Sequence, residues 1–218
     1  MPKIAVLVSG GMDSSILSVD LANAGNEIFP LYIKHGLYWE AVELSYLQQF
    51  LVAVSHPNIR PLSILDLPVT DIYDAHWSVT GTDVPDETTA DDAVYLPGRN
   101  LLLLAKAGVW CSTNGIAEIA LAPLKGNPFS DNTDEFYRTM ENAVNLALEW
   151  PLKVTRPYSN KSKDEVIEIG KDLPLHLTFS CIKPVNDLHC GKCNKCAERI
   201  YGYNLPGRID STRYYAGP

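Results

Sequence analysis

"AVLVSGGMDSSILSVDLA", residues 5–22, decides the reading of this chain. Residues 3–8 are a short apolar run, the pattern of a strand buried on both faces. The run breaks at Ser9 into two glycines, Met12, a carboxylate and two hydroxyls. It turns apolar again over 14–24, where Ile16, Leu17, Val19, Leu21 and Ala22 predict a helix stopped by Gly25. A strand that ends at a glycine pair and restarts as a helix leaves unpaired N–H groups at the carboxyl edge of a sheet. Those donors and the helix dipole favour an anion. Glycine lets the backbone approach it closely, and Ser9, Ser14 and Ser15 add hydroxyls. Residues Ser9, Gly10, Gly11, Met12, Asp13, Ser14 and Ser15 are therefore expected to hold a phosphate group. The plainer alternative is a glycine turn capped by serine.

Outward from this loop, residues 27–33 predict a second strand, which Pro30 places near an edge. Residues 39–54 have helical spacing, and 59–65 give a third strand. Residues 66–97 change character: Asp66, Asp71, Asp74, Asp83, Asp86, Asp91 and Asp92 stand among prolines and threonines. A structureless insertion of that length is usually functional, so it is expected to be an active-site loop or lid, the alternative being a solvated surface loop. Further helices are predicted over 96–115, 133–149 and 162–173, with strands at 116–123 and 153–157. Strand–helix alternation favours a doubly wound, mostly parallel five-stranded α/β sheet with helices on both faces. The expected division is a Rossmann-like nucleotide-binding domain over 1–175 and a small metal-binding segment over 176–218.

The chain has 218 residues, a net charge of −8 and a pI near 5.1. Hydrophobic residues make up 46% and charged residues 20%, ordinary values for a globular protein. The acidic balance argues against a broad basic surface for nucleic acid, though not against a small anion. No apolar run reaches the roughly 18 residues of a membrane span, and no secretory leader is visible, so a cytoplasmic protein with no membrane partner is expected. Apolar positions on the late helices leave faces that a second copy would cover, as in a homodimer.

Four of the five cysteines lie between 181 and 196, as C-x8-C-x2-C-x2-C through Cys181, Cys190, Cys193 and Cys196. Two-residue spacings turn neighbouring thiolates onto one cation, and four thiolates make a closed structural zinc site. The alternatives are an iron–sulfur cluster and a redox pair that carries sulfur. His189 beside the cluster is either a substitute ligand or its neighbour. Cys111, alone on an apolar helix, is a small core residue.

Ser9-Gly10-Gly11-Met12-Asp13-Ser14 resembles the S-G-G-x-D-S signature of the pyrophosphate-loop ATPases. The resemblance implies that the loop holds the pyrophosphate part of ATP and that attack comes at the α-phosphorus. Asp13 should repel phosphate unless Mg²⁺ lies between them; its other reading is a cap for the helix that follows. With "LPGRN" at 96–100 and the cysteine spacing, the chain from Lys3 to Tyr203 resembles the 7-cyano-7-deazaguanine (preQ0) synthases of queuosine biosynthesis. That resemblance implies an ATP-dependent ligase with accompanying Mg²⁺ and structural Zn²⁺. It would adenylate 7-carboxy-7-deazaguanine, displace AMP with ammonia and dehydrate the amide to a nitrile. It assigns catalytic work to Asp13, Arg99 and Lys163. The alternatives are an ion pair of Arg99 with an acid of the 66–92 loop, and a solvated face for Lys163 and Lys161.

Two stretches depart from the family's pattern. The usual glutamine-arginine-histidine run after the second strand is replaced by "HGLYWEAVE" (35–43), which offers His35, Tyr38, Trp39 and Glu40. After the fourth strand, "APLKGNPFSDNTDEFYRTM" (122–140) lacks the acidic run and the arginine but keeps Asp131. Lys125 is positioned to bind an acid or carbonyl, and Trp39 or Tyr38 to stack on a flat ring. Competing readings are a tRNA-thiolating enzyme of the same fold and a non-catalytic zinc-dependent interaction module.

Overall fold

A computed structural model of the chain describes residues 1–204 and 209–215. β1 (Lys3–Leu7) runs into α1 (Met12–Asn23), then β2 (Glu27–Lys34), α2 (Glu40–Val54) and β3 (Ser63–Asp66). Two one-turn helices, α3 (Thr70–Tyr73) and α4 (Trp77–Thr80), precede α5 (Arg99–Thr113) and β4 (Glu118–Ala120). α6 (Asp134–Leu148), β5 (Lys153–Thr155), α7 (Lys163–Ile169) and α8 (Asn194–Tyr203) follow. The strands form one parallel sheet in the order β3-β2-β1-β4-β5.

Strand alternation sends Ile4 and Val6 of β1 to one face and Ala5 and Leu7 to the other. The first face packs on Ile16 and Leu17 of α1, Leu47 of α2, and Val166 and Ile167 of α7. The second packs on Leu104, Ala107 and Cys111 of α5 and Val144 of α6. Apolar residues on both faces are what a central parallel strand requires. Cys111 is fully buried there, and burial pushes its thiol up to about 12.

Strand order reverses between β1 and β4, and ligands of such sheets bind beyond the strand ends at that switch point. The loop at 9–11 leaves β1 there, and the loop at 122–129 leaves β4.

Three sequence expectations need correction. β2 is an interior strand, although it carries Pro30. Ile28 donates to the Asn58 carbonyl and accepts from the Arg60 amide, and alternation puts the missing Pro30 donor on that same side. There it faces the break between the Ile28–Ile59 bridge and the start of β3 at Ser63, so no ladder bond is lost. The 66–97 segment is not structureless, since it holds α3, α4 and a 3₁₀ turn over Asp91–Val94. α8 forms in a stretch with no predicted helix; Cys193 is its N-cap and Cys196 lies in its first turn. No helix among the described residues is long and apolar enough to cross a membrane.

Candidate functional site

The loop after β1 has the geometry its sequence predicts. Gly10 has φ +74°, and a Cβ there would lie 2.8 Å from the Glu43 side chain and 2.9 Å from its carbonyl oxygen. Glycine is thus required twice, by dihedral angle and by space. The Ser14 hydroxyl accepts from the Ser9 amide (3.2 Å) and donates to the Gly11 carbonyl (3.3 Å), closing the loop on the helix start. The helix N-cap is Gly11, with no side chain to occupy the first-turn N–H groups. Ser15 is buried, and its hydroxyl has no partner.

Asp13 is in the first turn of α1 and is not its cap. Its Oδ2 accepts from Lys163 Nζ at 2.7 Å, while its Oδ1 is buried without a partner. Lys163 is the first residue of α7, whose start is fixed by the Ser162 amide donating to Glu165 (2.8 Å). Lys163 also meets Glu198 at 2.9 Å, and Glu198 meets Lys195 at 2.7 Å. Burial works against the Lys163 ammonium, but the Asp13 and Glu198 carboxylates outweigh it and hold its pKa above the usual range. Burial likewise opposes the Glu198 carboxylate, yet Lys163 and Lys195 bring it down to about 2. Lys161 instead gives its carbonyl to the Lys125 amide, docking the 122–129 loop.

Arg99 opens α5 behind Gly98, which has φ +72°. Among the described residues it makes no ion pair, so the pairing with an acid of the 66–92 loop is not formed. Its Nε is buried without a partner. Asp131 sets its position: the Asp131 carboxylate accepts from the Asn100 amide at 3.1 Å, one residue on. Asp131 is thus an anchor for the start of α5.

These groups share one depression. A cavity of about 400 Å³ is lined by Ser9, Gly11, Asp13, Arg99 and Lys163, and by Trp39, Trp77 and Lys125. A second, of about 290 Å³, adjoins it across Ser9, Gly11, Asp13 and Arg99 and runs in over the ends of β1 and β2 to Tyr32 and Ile33. The loop at 9–15 lies between the two.

Of His35, Tyr38, Trp39 and Glu40, Trp39 alone lines this cavity. It stacks on Trp77 of α4 with ring centres 5.8 Å apart and planes 17° apart. Tyr38 is half-exposed and packs against Gly81. Glu40 accepts from the His35 and Gly36 amides (2.5 and 3.0 Å) and clamps the turn into α2. His35 is sealed below, where burial, then the Arg99 charge, lower its pKa to about 4.

The four cysteines converge. All four Sγ atoms lie within 4.8 Å of one another, with Cys190–Cys196 and Cys181–Cys193 both 3.9 Å apart. Zinc–sulfur bonds near 2.3 Å put tetrahedral corners about 3.8 Å apart, so the sulfurs suit that ion. The Lys183 and Cys190 amides donate to Cys181 Sγ, and the Lys192 and Cys193 amides to Cys190 Sγ. Bonds from Cys181, Cys193 and Cys196, and from the Lys192 amide, hold the Cys190 thiol below its ordinary range. His189 is not a fifth member: its Nε2 accepts from the Ser180 amide at 3.1 Å. The cluster also fastens the 66–97 segment. Asp86 bridges Cys193, the Asn194 amide donates to the Pro85 carbonyl, and Asn194 Nδ2 to the Thr89 carbonyl.

The family model described as "Queuosine biosynthesis protein QueC" matches residues 3–207. The chain belongs to the QueC family. Among curated relatives, the 7-cyano-7-deazaguanine synthase of Leptospira interrogans is 29% identical, over 94% of this chain and 88% of that protein. That of Nautilia profundicola is 28% identical over 98% and 99%, and that of Thermoplasma volcanium 28% over 100% and 93%. Solved structures show the fold alone. A predicted subunit of tRNA methyltransferase from Methanocaldococcus jannaschii aligns with TM-score 0.52 at 13% identity, over 78% of this chain and 75% of that one. A 4-thiouridine synthetase in complex with RNA and ATP aligns with TM-score 0.53 at 15% identity, over 92% of this chain and 49% of that one.

Around this QueC site the fold adds residues the sequence reading missed. Trp77 comes from α4 and Glu198 from α8. Glu43 lies one helical turn beyond Trp39, a spacing that would have placed it on the same face. Arg199 is buried, lines the larger cavity and donates to Thr212, Thr178, Ser180 and the Leu175 carbonyl, all neutral groups.

Proposed function

We propose that this chain is an ATP-dependent carbon–nitrogen ligase that adenylates 7-carboxy-7-deazaguanine and converts it with ammonia into 7-cyano-7-deazaguanine. The observation that carries this reading is the QueC match over nearly the whole chain, and the cavity geometry supports it. In this reading the nucleoside of ATP takes the smaller cavity, over the ends of β1 and β2. The two outer phosphates take the 9–15 loop, leaving the α-phosphorus at the boundary between the cavities. The carboxylate comes from the larger one, its flat ring against Trp39 and its charge near Lys125.

The donor set of the loop fits Mg²⁺, because the buried Oδ1 of Asp13 lacks a partner and is a hard ligand beside the phosphates. When bound, the ion neutralises charge that builds up on the pyrophosphate leaving group. Lys163, held charged by its two carboxylates, and Arg99, with an unused Nε–H, add fixed positive charge on the same side. Zn²⁺ on Cys181, Cys190, Cys193 and Cys196 holds the lid and the wall and takes no part in the chemistry. A homodimer remains part of the reading, supported by exposed Leu146 on α6 and Tyr201 on α8.

A second reading keeps the chemistry and changes the acid. The walls that carry Trp39 and Lys125 come from the two stretches that depart from the family's pattern, so a relative of the enzyme acting on another flat carboxylate fits the same cavity. Pyrophosphate release with ATP separates these readings. Release that needs carboxylated deazaguanine supports the first. Release only with other aromatic acids supports the second. Release only with tRNA, or none with any substrate, would refute both.

A further inference from the structure

A carboxylate on the acid's side of the larger cavity has no part in the scheme above. Glu43 lies in the first turn of α2, is 8% exposed, and packs beside Gly10 of the phosphate loop. Its Oε2 accepts from the Tyr32 hydroxyl at 2.7 Å. Among the described residues its Oε1 has no hydrogen-bond partner. Glu43 lines the larger cavity. The neighbouring Glu40 is different, since its carboxylate is occupied by two backbone amides of its own turn. Glu43 does not line the smaller cavity assigned to the nucleoside. It therefore faces the place where the acid and its adenylate would react, with one oxygen fixed by Tyr32 and the other unused.

Amide formation needs such a group. Ammonia attacks the adenylate's carbonyl carbon, a C–N bond forms, and the carbonyl electron pair moves onto oxygen. The nitrogen then carries a positive charge and is the better leaving group until it loses a proton. Resting on the ligase reading, we propose that Glu43 is the base that takes this proton. The N–H bond breaks, its electron pair stays on nitrogen, and Oε1 gains the hydrogen. The carbonyl re-forms as the C–O bond to AMP breaks, giving amide, AMP and a protonated Glu43 that returns its proton to water.

The charge balance around Glu43 suits this work. Burial pushes its carboxyl up to about 7, against the pull of Arg99 from α5 and of the Tyr32 hydrogen bond from β2, and with a push from Glu40 on its own helix. Asp13 and Lys163 face it across the cavity from α1 and α7. A base poised near neutrality is ionised in use and still strong enough to accept a proton.

The test is Glu43→Gln, which keeps the volume and an acceptor for Tyr32, assayed with ATP, carboxylated deazaguanine and ammonia. Ammonia-dependent product formation is expected to fall at least ~100-fold, while the first-turnover burst of pyrophosphate stays within about threefold of the parent. The parent's rise in the ammonia step near pH 7 is expected to vanish. Hydroxylamine, less basic at nitrogen, is expected to restore trapping of the adenylate. If Glu43→Gln does not fold, Glu43→Asp, which draws the carboxylate back by one methylene, is read in the same way. Product formation at the parent's rate, or equal loss of the pyrophosphate burst, overturns the assignment of Glu43 alone. A parent protein that releases no pyrophosphate overturns the ligase reading and this step with it.

Discussion

The cysteine cluster and the loop at 9–15 are both dense in polar groups, yet they are built differently. In the cluster each sulfur faces other sulfurs, and backbone amides point at two of them. In the loop and its surroundings, Asp13 Oδ1, Ser15 Oγ and Arg99 Nε are buried with nothing to bond. A buried polar atom left unpaired costs about 1–3 kcal/mol, so a fold that leaves Asp13 and Arg99 so on the lining of both cavities is holding them for something else. The closed site needs only an ion to hold it shut. The open one suits a ligand with charge of both signs, which in the proposed reading is ATP with its metal.

The contrast is tested most heavily on the closed side. Cys193→Ser, or treatment with a strong chelator, is expected to lower Tm by more than about 10 °C, since a structural zinc site folds the segment around it. An unchanged Tm and metal content would mean that the cluster is not a zinc site. On the open side, Asp13→Ala is expected to cut pyrophosphate release at least ~100-fold while Tm moves by less than about 3 °C. If stability fell as it does for the cysteine, the two sites would not differ in kind. Trp39→Leu is expected to raise KM for the acid about tenfold and to leave KM for ATP unchanged, which would separate the two cavities.

The smallest effect is at the rim. Glu198, at about 2 against its ordinary 4.5, contributes stability that is present above pH 4.5 and lost as pH falls towards 2. Because Glu198 is about a third exposed, Glu198→Gln is expected to flatten that acid limb by less than about 1 kcal/mol in denaturant melts.

The same two regions show what could be read from sequence. The loop and the cluster each draw their groups from one short stretch, so spacing alone revealed them. The larger cavity draws on distant ones: Trp39 meets Trp77 across a segment that looked structureless, because four-residue helices are too short to show a period. α8 went unrecognised because the residues it buries are Asn194, Cys196, Arg199 and Gly202, which make no apolar stripe. Pro30 was misread because its effect depends on where the neighbouring strand breaks, which only the pairing reveals. Asp131 was legible as an acid but not as the anchor of α5, thirty-one residues away in sequence.

Isotope transfer tests the central claim most directly. With the carboxylate of the acid labelled with ¹⁸O, and ATP and ammonia supplied, each AMP formed is predicted to carry one labelled oxygen and to appear with one pyrophosphate. Unlabelled AMP, or ADP and phosphate in its place, would contradict attack of the acid at the α-phosphorus.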